Sequence, residues 1–255
     1  MLLVCTSLSE EQFYSSPDNK LSRAQERRFF ELTSKRLAGF PLSYLTGTKE
    51  FWSISFKVSP GVMIPRPETE LIIEKVLELS SRKDETIVDI GTGCGNIAVS
   101  LAKELPQAKI IATDTEKIAL EVAKANASRE KLSNIIFSRG SLFSPLKEFK
   151  LERKCDFIVS NPPYVSEDEW AGLARETRNH EPKSSFVAGK SGLEVISNLV
   201  QGAPPYLKPG GYLLIEIGQG QKDKVLSFFK SGSSWVDLDF FKDLAGIPRI
   251  VLGRV

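Results

Sequence analysis

The tetrapeptide Asn161-Pro162-Pro163-Tyr164 carries the most specific chemistry in this sequence of 255 residues. Proline has no backbone N–H, so the stretch offers mainly carbonyl oxygens held in a rigid geometry. The residue before a proline is restrained as well, and the Asn161 side chain adds one more oxygen acceptor. Two acceptors a few ångströms apart suit an –NH₂ group, and Tyr164 can cover a planar group by stacking. The segment therefore indicates a site that holds an amide or amine nitrogen.

A second chemical motif is the glycine loop Asp89-Ile90-Gly91-Thr92-Gly93-Cys94-Gly95. Glycines between a strand and a helix let the backbone approach a ligand and present amide groups at a helix N-terminus. A dinucleotide fingerprint would have its third glycine where this sequence has Asn96, so the shorter loop suits a nucleoside cofactor without a pyrophosphate. Asp114, about 20 residues further on, can accept hydrogen bonds from both ribose hydroxyls.

Both motifs also have a purely structural interpretation. The glycine loop alone is compatible with a tight turn, and segment 161–164 with a proline-rich turn that carries a surface tyrosine. Their shared context favours ligand binding, because each follows a predicted strand and ligands of open α/β sheets bind beyond the carboxyl ends of the strands. Gly189-Lys190-Ser191 does not complete a phosphate loop, since Ser184 stands where such a loop has its first glycine.

The elements that must position these motifs alternate between strands and helices from residue 86 onward. Alternation of apolar strands with helices predicts a parallel sheet covered on both faces. The last two strands have no helix between them and are expected to close the sheet as an antiparallel pair. The fold is thus predicted to be α/β, with a doubly wound, mostly parallel seven-stranded sheet. The predicted strands are 86–90, 109–113, 135–138, 155–160, 211–217, 234–240 and 248–253.

Residues 1–47 predict a small helical domain, a candidate unit for docking the substrate. Ser22 and Gln25 have the spacing of a capping box, and Gly39-Phe40-Pro41 ends the helix. The basic side chains between these signals suit either a solvated helix face or a docking surface for a partner. Residues 48–62 predict a linking β-hairpin, and residues 63–255 the main domain.

Composition limits the classes of function. A hydrophobic share of 41% and a charged share of 26% are typical of soluble globular proteins. No apolar run approaches the ~20 residues that span a bilayer, and a signal-peptide core is lacking, so we expect a cytoplasmic protein with no membrane partner. A net charge of +2 does not favour stable nucleic-acid binding. Three scattered cysteines and a single histidine, His180, favour neither a disulfide framework, nor a metal site, nor a Ser-His-Asp triad.

Together these motifs resemble those of the peptide chain release factor glutamine N5-methyltransferases, over nearly the whole chain from about Phe40. Segment 161–164 alone is shared with adenine-N6 DNA and guanine-N2 rRNA methyltransferases. The segment Pro65-Arg66-Pro67 and the helical unit of residues 1–47 narrow the choice of family to the glutamine methyltransferases. The other matching segments are Pro41-Leu42-Ser43-Tyr44-Leu45-Thr46-Gly47, Glu50-Phe51, Ile64-Pro65-Arg66-Pro67-Glu68-Thr69-Glu70, Leu207-Lys208-Pro209-Gly210-Gly211 and Asp243-Leu244-Ala245-Gly246.

The resemblance implies a Rossmann-like methyltransferase fold that uses S-adenosyl-L-methionine. The implied substrate is the glutamine of the Gly-Gly-Gln motif of class 1 release factors, and Asn161 and Pro162 are the implied catalytic residues. Where the family often has an acidic residue followed by an aromatic or apolar one, this chain has Ser141 and Leu142. The residues implied to bind the substrate are Asn161, Pro162, Pro163 and Tyr164. Those implied to bind the cofactor are Gly91, Thr92, Gly93, Cys94, Gly95, Asp114, Leu142 and Asn161.

The expected mechanism follows from the weak nucleophilicity of an amide nitrogen, whose lone pair is delocalised into the carbonyl. Accepting both N–H hydrogens orients the nitrogen toward the sulfonium methyl group and stabilises the charge that develops. The other catalytic contribution is the in-line alignment of the amide nitrogen, the methyl group and the sulfur. The N-methylated intermediate is acidic enough to lose its proton without a strong base.

Other functions stay open at this point. The alternatives are methylation of a ribosomal-protein glutamine, methylation of a base in RNA or DNA, and a cofactor-fold protein that only binds a partner. A base methyltransferase is expected to carry a basic channel or a target-recognition domain, which this sequence does not indicate. We therefore expect a class 1 release factor as the partner, and a monomer.

Overall fold

The computed structural model describes residues 1–15, 18–81, 84–232 and 234–255. No helix in these ranges is long and apolar enough to cross a membrane. The α-helices are α1 (Leu2–Thr6), α2 (Glu10–Ser15), α3 (Arg23–Leu37), α4 (Leu42–Thr46), α5 (Glu70–Leu79), α6 (Asn96–Glu104), α7 (Lys117–Arg129), α8 (Ser144–Glu148), α9 (Glu167–Trp170), α10 (Arg175–His180), α11 (Glu194–Gly202) and α12 (Lys222–Ser231). The strands are β1 (Thr48–Phe51), β2 (Ile54–Lys57), β3 (Thr86–Ile90), β4 (Lys109–Asp114), β5 (Ile135–Arg139), β6 (Cys155–Ser160), β7 (Leu207–Glu216), β8 (Asp237–Lys242) and β9 (Pro248–Arg254).

The main sheet of the described chain has seven strands in the order β5-β4-β3-β6-β7-β9-β8. The first five strands in this order pair in parallel, and β9 pairs antiparallel with both β7 and β8. The predicted parallel sheet and its closing antiparallel pair are thereby confirmed. Each predicted strand is present. Strands β4, β5 and β9 end one residue later than predicted, and the bounds of β7 and β8 differ by more.

The predicted start of β7 at residue 211 is wrong, because the strand begins at Leu207. Leu207 pairs with Cys155 on β6, and the register then shifts before Phe157 pairs with Tyr212. The Lys208 ammonium lies 2.6 Å from the Asp156 carboxylate across this irregularity. The segment Pro209-Gly210-Gly211 suggests a turn in the sequence. In the structure it lies within β7, where the shift in register forms a β-bulge.

The predicted bounds of β8, 234–240, are also shifted. The strand covers Asp237–Lys242 instead, because its pairing with β9 continues beyond Phe240 through Phe241 to Lys242 opposite Pro248. Residue 233 lies outside the described ranges.

Two buried clusters cover the two faces of the sheet, as a doubly wound fold requires. Successive residues of β3 point to opposite faces, so that Ile87 belongs to one cluster and Val88 to the other. Helices α5, α6 and α7 pack on the first face, where Ile72 and Leu101 are fully buried. Helices α8, α11 and α12 cover the second face, with Ile196 at its centre.

The N-terminal helices and the hairpin form as the local sequence predicts. The Ser22 hydroxyl accepts a hydrogen bond from the Gln25 N–H and the Gln25 side chain accepts one from the Ser22 N–H, which confirms the capping box of α3. No side chain of α3 is buried. β1 and β2 form an antiparallel hairpin, and its Phe51 and Phe56 enter the first core cluster.

The chain that follows segment 161–164 packs closely on the turn before α11. The N–H of Val165 donates to the Phe186 carbonyl at 2.8 Å, and the N–H of Ala188 donates to the Val165 carbonyl at 3.0 Å. Gly192 lies beneath them with φ +73°, and a Cβ atom there would be 2.6 Å from the Tyr164 carbonyl oxygen. Only glycine fits both this backbone conformation and this contact.

We predict that Gly192→Ala destabilises the fold more than Gly220→Ala does. Gly220 also has a positive φ, +82°, but an added Cβ would meet nothing within 4 Å. The control variant therefore carries only the left-handed backbone strain, about 1–2 kcal/mol, while Gly192→Ala must also displace the backbone at Tyr164. Chemical denaturation measures both free energies of unfolding, and equal losses would contradict the steric argument.

Candidate active site

The two chemical motifs meet at the carboxyl edge of the sheet because β3 and β6 are parallel neighbours. Asp89 near the end of β3 lies opposite Val159 near the end of β6. The next residue, Ser160, donates its hydroxyl hydrogen to the Ile90 carbonyl at 2.7 Å, which ties the start of the tetrapeptide to the start of the glycine loop. Both segments therefore face the same space above the strands.

The glycines of the loop have two different roles. All three have positive φ angles, which are 76° at Gly91, 56° at Gly93 and 85° at Gly95. A Cβ at Gly91 or Gly93 would meet nothing within 4 Å, whereas one at Gly95 would lie 3.0 Å from the Ala123 Cβ. The first two glycines leave bare backbone facing open space, and the third lets α6 approach α7.

A buried amide supports the loop from below. Asn126 on α7 donates from Nδ2 to the Cys94 carbonyl at 2.9 Å and to the Lys57 carbonyl at 3.1 Å. Its Oδ1 accepts a hydrogen bond from the Lys57 N–H at 2.7 Å. One side chain thus joins the glycine loop to strand β2 of the hairpin. The sequence pattern places Asn126 among the apolar positions of a helix and does not indicate this contact.

A cavity of about 330 Å³ lies between the glycine loop and segment 161–164. Most of the predicted site residues line it, but Gly95 and Tyr164 do not. The segment before α5 and the chain around α11 supply walls that the sequence analysis missed. The predicted residues that line the cavity are Gly91, Thr92, Gly93, Cys94, Asp114, Leu142, Asn161, Pro162 and Pro163. The other walls include Met63, Ile64, Arg66, Ser141, Ser184, Ser185, Val195 and Asn198.

Asp114 is held at one end of the cavity by backbone N–H groups. Its Oδ2 accepts a hydrogen bond from Gly93 and its Oδ1 accepts one from Glu116, both at 2.9 Å. Burial raises the pKa of this carboxyl above its ordinary value, and these hydrogen bonds lower it again in part. Each carboxylate oxygen keeps a second lone pair for a hydroxyl group. Open glycine backbone, a carboxylate and the apolar side chain of Leu142 fit a nucleoside cofactor.

Asn161 is tied to a buried hydrogen-bonded chain behind the cavity wall. Its Nδ2 donates to the Thr69 hydroxyl oxygen at 2.9 Å, and that hydroxyl donates to Glu216 Oε2 at 2.6 Å. The Tyr164 hydroxyl donates to the other carboxylate oxygen, Oε1, at 3.3 Å. Thr69 and Glu216 are almost fully buried. The sequence does not indicate these two contacts, since both residues lie far from Asn161 along the chain.

Tyr164 is therefore oriented by contacts away from the cavity. Besides the bond from its hydroxyl to Glu216, its carbonyl accepts a hydrogen bond from Gln221 Nε2 at 2.7 Å. A Cβ at Gly218 would lie 3.1 Å from the Tyr164 ring. The predicted stacking of this ring on a substrate stays a prediction.

Glu181 fixes the extended segment Ile64-Pro65-Arg66, which lines the cavity. Its carboxylate is buried and accepts hydrogen bonds from the Ile64 N–H at 3.0 Å and from the Arg66 guanidinium at 2.5 Å. The neighbouring His180 ring lies 4.0 Å from the Phe40 ring, measured between centroids. The chain after segment 161–164 is thus joined to both the proline-arginine-proline segment and the N-terminal region.

Two carboxyl groups near the motifs have strongly raised pKa values. Burial raises the pKa of Asp89, at the end of β3, to about 7, although the Thr92 hydroxyl donates to its Oδ2 at 2.6 Å. Burial likewise raises the pKa of Glu216 to about 7, against the hydrogen bonds from Thr69 and Tyr164. Among the described side chains, no group of three or more His, Cys, Asp or Glu residues is placed to hold a metal ion.

Comparison with known proteins agrees with this fold. Residues 67–177 match the family model of the methyltransferase small domain. The catalytic domain of hMettl16, solved with MAT2A 3′UTR hairpin 1, is 16% identical with a TM-score of 0.64, covering 89% of this chain and 90% of that one. A methyltransferase from Pyrococcus furiosus is 18% identical with a TM-score of 0.57, covering 90% and 97%. The fold is that of the Rossmann-like methyltransferases, a class that uses S-adenosyl-L-methionine.

Relatives of known name narrow the class. A release factor glutamine methyltransferase of Koribacter versatilis is 40% identical, covering 99% of this chain and 89% of the relative. Proteins of the same name from Moorella thermoacetica and Aliivibrio fischeri are 38% and 35% identical, covering 96% and 99% of this chain and 86% and 88% of the relatives. Residues 1–47 also match the PrmC N-terminal domain model. The chain belongs to the release factor glutamine methyltransferase family, which confirms the resemblance read from its motifs.

We predict that Glu216→Gln removes part of the pH dependence of stability. The ordinary pKa of a glutamate, 4.5, rises to about 7 in the folded chain. Glu216 therefore contributes stability that is complete below about pH 4.5 and is lost as the pH rises through about 7, on the order of 3 kcal/mol. Glutamine keeps the shape but cannot ionise.

Thermal unfolding of both proteins between pH 5 and 8.5 measures the effect. The wild-type midpoint should fall more steeply with rising pH than that of Glu216→Gln. Asp89 titrates in the same range in both proteins, so its contribution cancels in the difference. Parallel curves would show that Glu216 is not the buried titrating group.

Proposed function

We propose that this protein transfers a methyl group from S-adenosyl-L-methionine to the side-chain amide nitrogen, N5, of the glutamine in the Gly-Gly-Gln motif of class 1 peptide chain release factors. The observation that carries the proposal is the acceptor surface of Asn161 and Pro162, which lines the same cavity as the glycine loop. The release factor glutamine methyltransferases to which the chain is 34–40% identical support the choice of substrate.

The cofactor residues proposed from the sequence fit a nucleoside with an attached amino-acid chain. Gly91 and Gly93 leave open backbone in the cavity wall, which Thr92 and Cys94 also line, and Asp114 offers carboxylate oxygens for the ribose hydroxyls. Leu142 supplies an apolar contact for the flat base. When bound, S-adenosyl-L-methionine supplies an electrophilic sulfonium methyl group.

Asn161 and Pro162 are proposed to orient the substrate amide. Asn161 Nδ2 is already bonded to Thr69, so its Oδ1 is the atom left to accept one N–H of the substrate. The Pro162 carbonyl accepts the other N–H. With both hydrogens held, the plane of the amide is fixed and the charge that develops on nitrogen is stabilised. The residues supply alignment rather than a strong base.

We also propose that residues 1–47 form the unit that docks the release factor, joined by residues 48–62 to the methyltransferase unit of residues 63–255. On α3 the side chain of Phe30 is 66% exposed and that of Leu37 is 84% exposed. Such apolar side chains beside arginines suit a protein surface better than solvent. A cytoplasmic monomer that binds neither nucleic acid stably nor a membrane completes the proposal.

Asn161→Ala should abolish methyl transfer while leaving the cofactor affinity within about tenfold, roughly 1.4 kcal/mol. The variant removes one acceptor of the substrate N–H and leaves the glycine loop and Asp114 intact. Transfer of a labelled methyl group measures activity, and isothermal titration with the cofactor measures affinity. Full activity in a folded variant would refute the mechanism.

The target is tested with labelled cofactor and a panel of acceptors. A class 1 release factor should be labelled, and its variant with the Gly-Gly-Gln glutamine changed to alanine should not. Ribosomal proteins and RNA in the same assay represent the alternative substrates. Label that survives the glutamine change would refute the proposed target, and label on RNA alone would favour base methylation.

A further inference from the structure

The hydrogen-bonded chain behind Asn161 has a direction that ionised Glu216 sets. An ionised carboxylate can only accept hydrogen bonds. The single hydrogen of the Thr69 hydroxyl is therefore donated to Glu216 Oε2, at 2.6 Å. The Thr69 oxygen must then accept a hydrogen bond from Asn161, and the only donor of that side chain is Nδ2, at 2.9 Å. The amide oxygen of Asn161 is consequently directed away from Thr69.

Neutral Glu216 would remove this constraint. A protonated carboxyl group can donate to the Thr69 oxygen, which frees the Thr69 hydrogen to point at Asn161. The Asn161 amide could then turn by half a rotation and place its –NH₂ group on the cavity side. An –NH₂ group cannot accept a hydrogen bond from a substrate N–H, so the two donors would face each other unpaired. The protonation state of a buried carboxyl group thus decides which atom of Asn161 the substrate meets.

We propose that Thr69 and Glu216 are positioning residues of the methyltransferase site: the carboxylate of Glu216, acting through the Thr69 hydroxyl, holds Asn161 with Oδ1 toward the substrate. This inference rests on the proposed function of Asn161. It extends the site from the cavity wall to two buried residues on other elements, the turn before α5 and the end of β7.

Burial of the Glu216 carboxylate costs folding free energy, so its presence here points to a contribution to the site. Glu216 is 1% exposed, and none of the described ion pairs includes it. The charged and titratable groups that act on its pKa are Tyr164, Glu68 and Arg249, and the Arg249 guanidinium donates a hydrogen bond to Asp243 at 2.9 Å. An apolar side chain at the end of this buried strand would avoid the desolvation of a carboxylate.

The test compares Thr69→Val, which keeps the shape and removes the hydroxyl, with Thr69→Ser, which keeps the hydroxyl. At pH 8.5 Thr69→Val should lower kcat at least about tenfold and leave the cofactor Kd within about twofold, because only the Asn161 orientation is disturbed. Thr69→Ser should retain kcat within about threefold. Thermal unfolding checks that both variants are folded.

A pH profile separates positioning from a merely structural contribution. Wild-type kcat should fall as the pH drops through about 7, the pKa to which burial raises Glu216. In Thr69→Val the part of this acid limb that depends on Glu216 should be absent, since the carboxyl group no longer acts on Asn161. Any part that is due to Asp89 is common to both proteins. Tyr164→Phe removes a hydrogen bond to the Glu216 carboxylate and should therefore raise the pKa of Glu216. The acid limb of whatever activity this variant retains should then lie at higher pH.

The outcomes distinguish this proposal from the proposed function. Inactive Asn161→Ala together with fully active Thr69→Val would overturn the positioning role and leave the function standing. Equal losses in Thr69→Val and Thr69→Ser, or an unchanged acid limb in Thr69→Val, would also overturn it. Fully active Asn161→Ala would refute the function itself.

Discussion

The parallel pairing of β3 with β6 is the constraint on which the site depends. Because the two strands run in the same direction and in register, their carboxyl ends open at one edge of the sheet. The chain must leave this edge twice, once as bare glycine backbone and once as a proline-stiffened segment. The hydrogen bond from Ser160 to Ile90 fixes the distance between these two exits. The α5–α7 layer and the α11–α12 layer hold the paired strands from both faces.

The features that could be predicted from the sequence are periodic patterns of apolar residues and contacts between residues that are close along the chain. Apolar runs reveal the strands, and the Ser22–Gln25 capping box is a contact between residues three positions apart. The glycine loop and segment 161–164 are equally local, so their place beyond the strands follows once the sheet is recognised. The family resemblance adds the cofactor and the substrate class, which no periodicity contains.

What the sequence could not reveal rests on contacts between distant residues. Thr69 bonds to Glu216 across 147 positions and to Asn161 across 92. Asn126 occupies an ordinary position on α7, and only the tertiary structure brings it to Cys94. The predicted start of β7 is wrong for a related reason: Pro209 and Gly210 suggest a turn locally, while pairing with β6 draws them into the strand. Glu181 likewise gains a role only when the fold brings Ile64 and Arg66 to it.

The rigid backbone at Pro162 and Pro163 affects how tightly the methylated product is bound. Under the proposed function, both N–H hydrogens of the incoming amide are accepted, one of them by a carbonyl that the rigid backbone cannot withdraw. The methylated nitrogen keeps a single hydrogen, so one acceptor loses its partner and the added methyl group takes up the space beside it. An unpaired acceptor costs about 1–3 kcal/mol. The loop therefore binds its product more weakly than its substrate, which favours release after one methyl group and disfavours a second transfer.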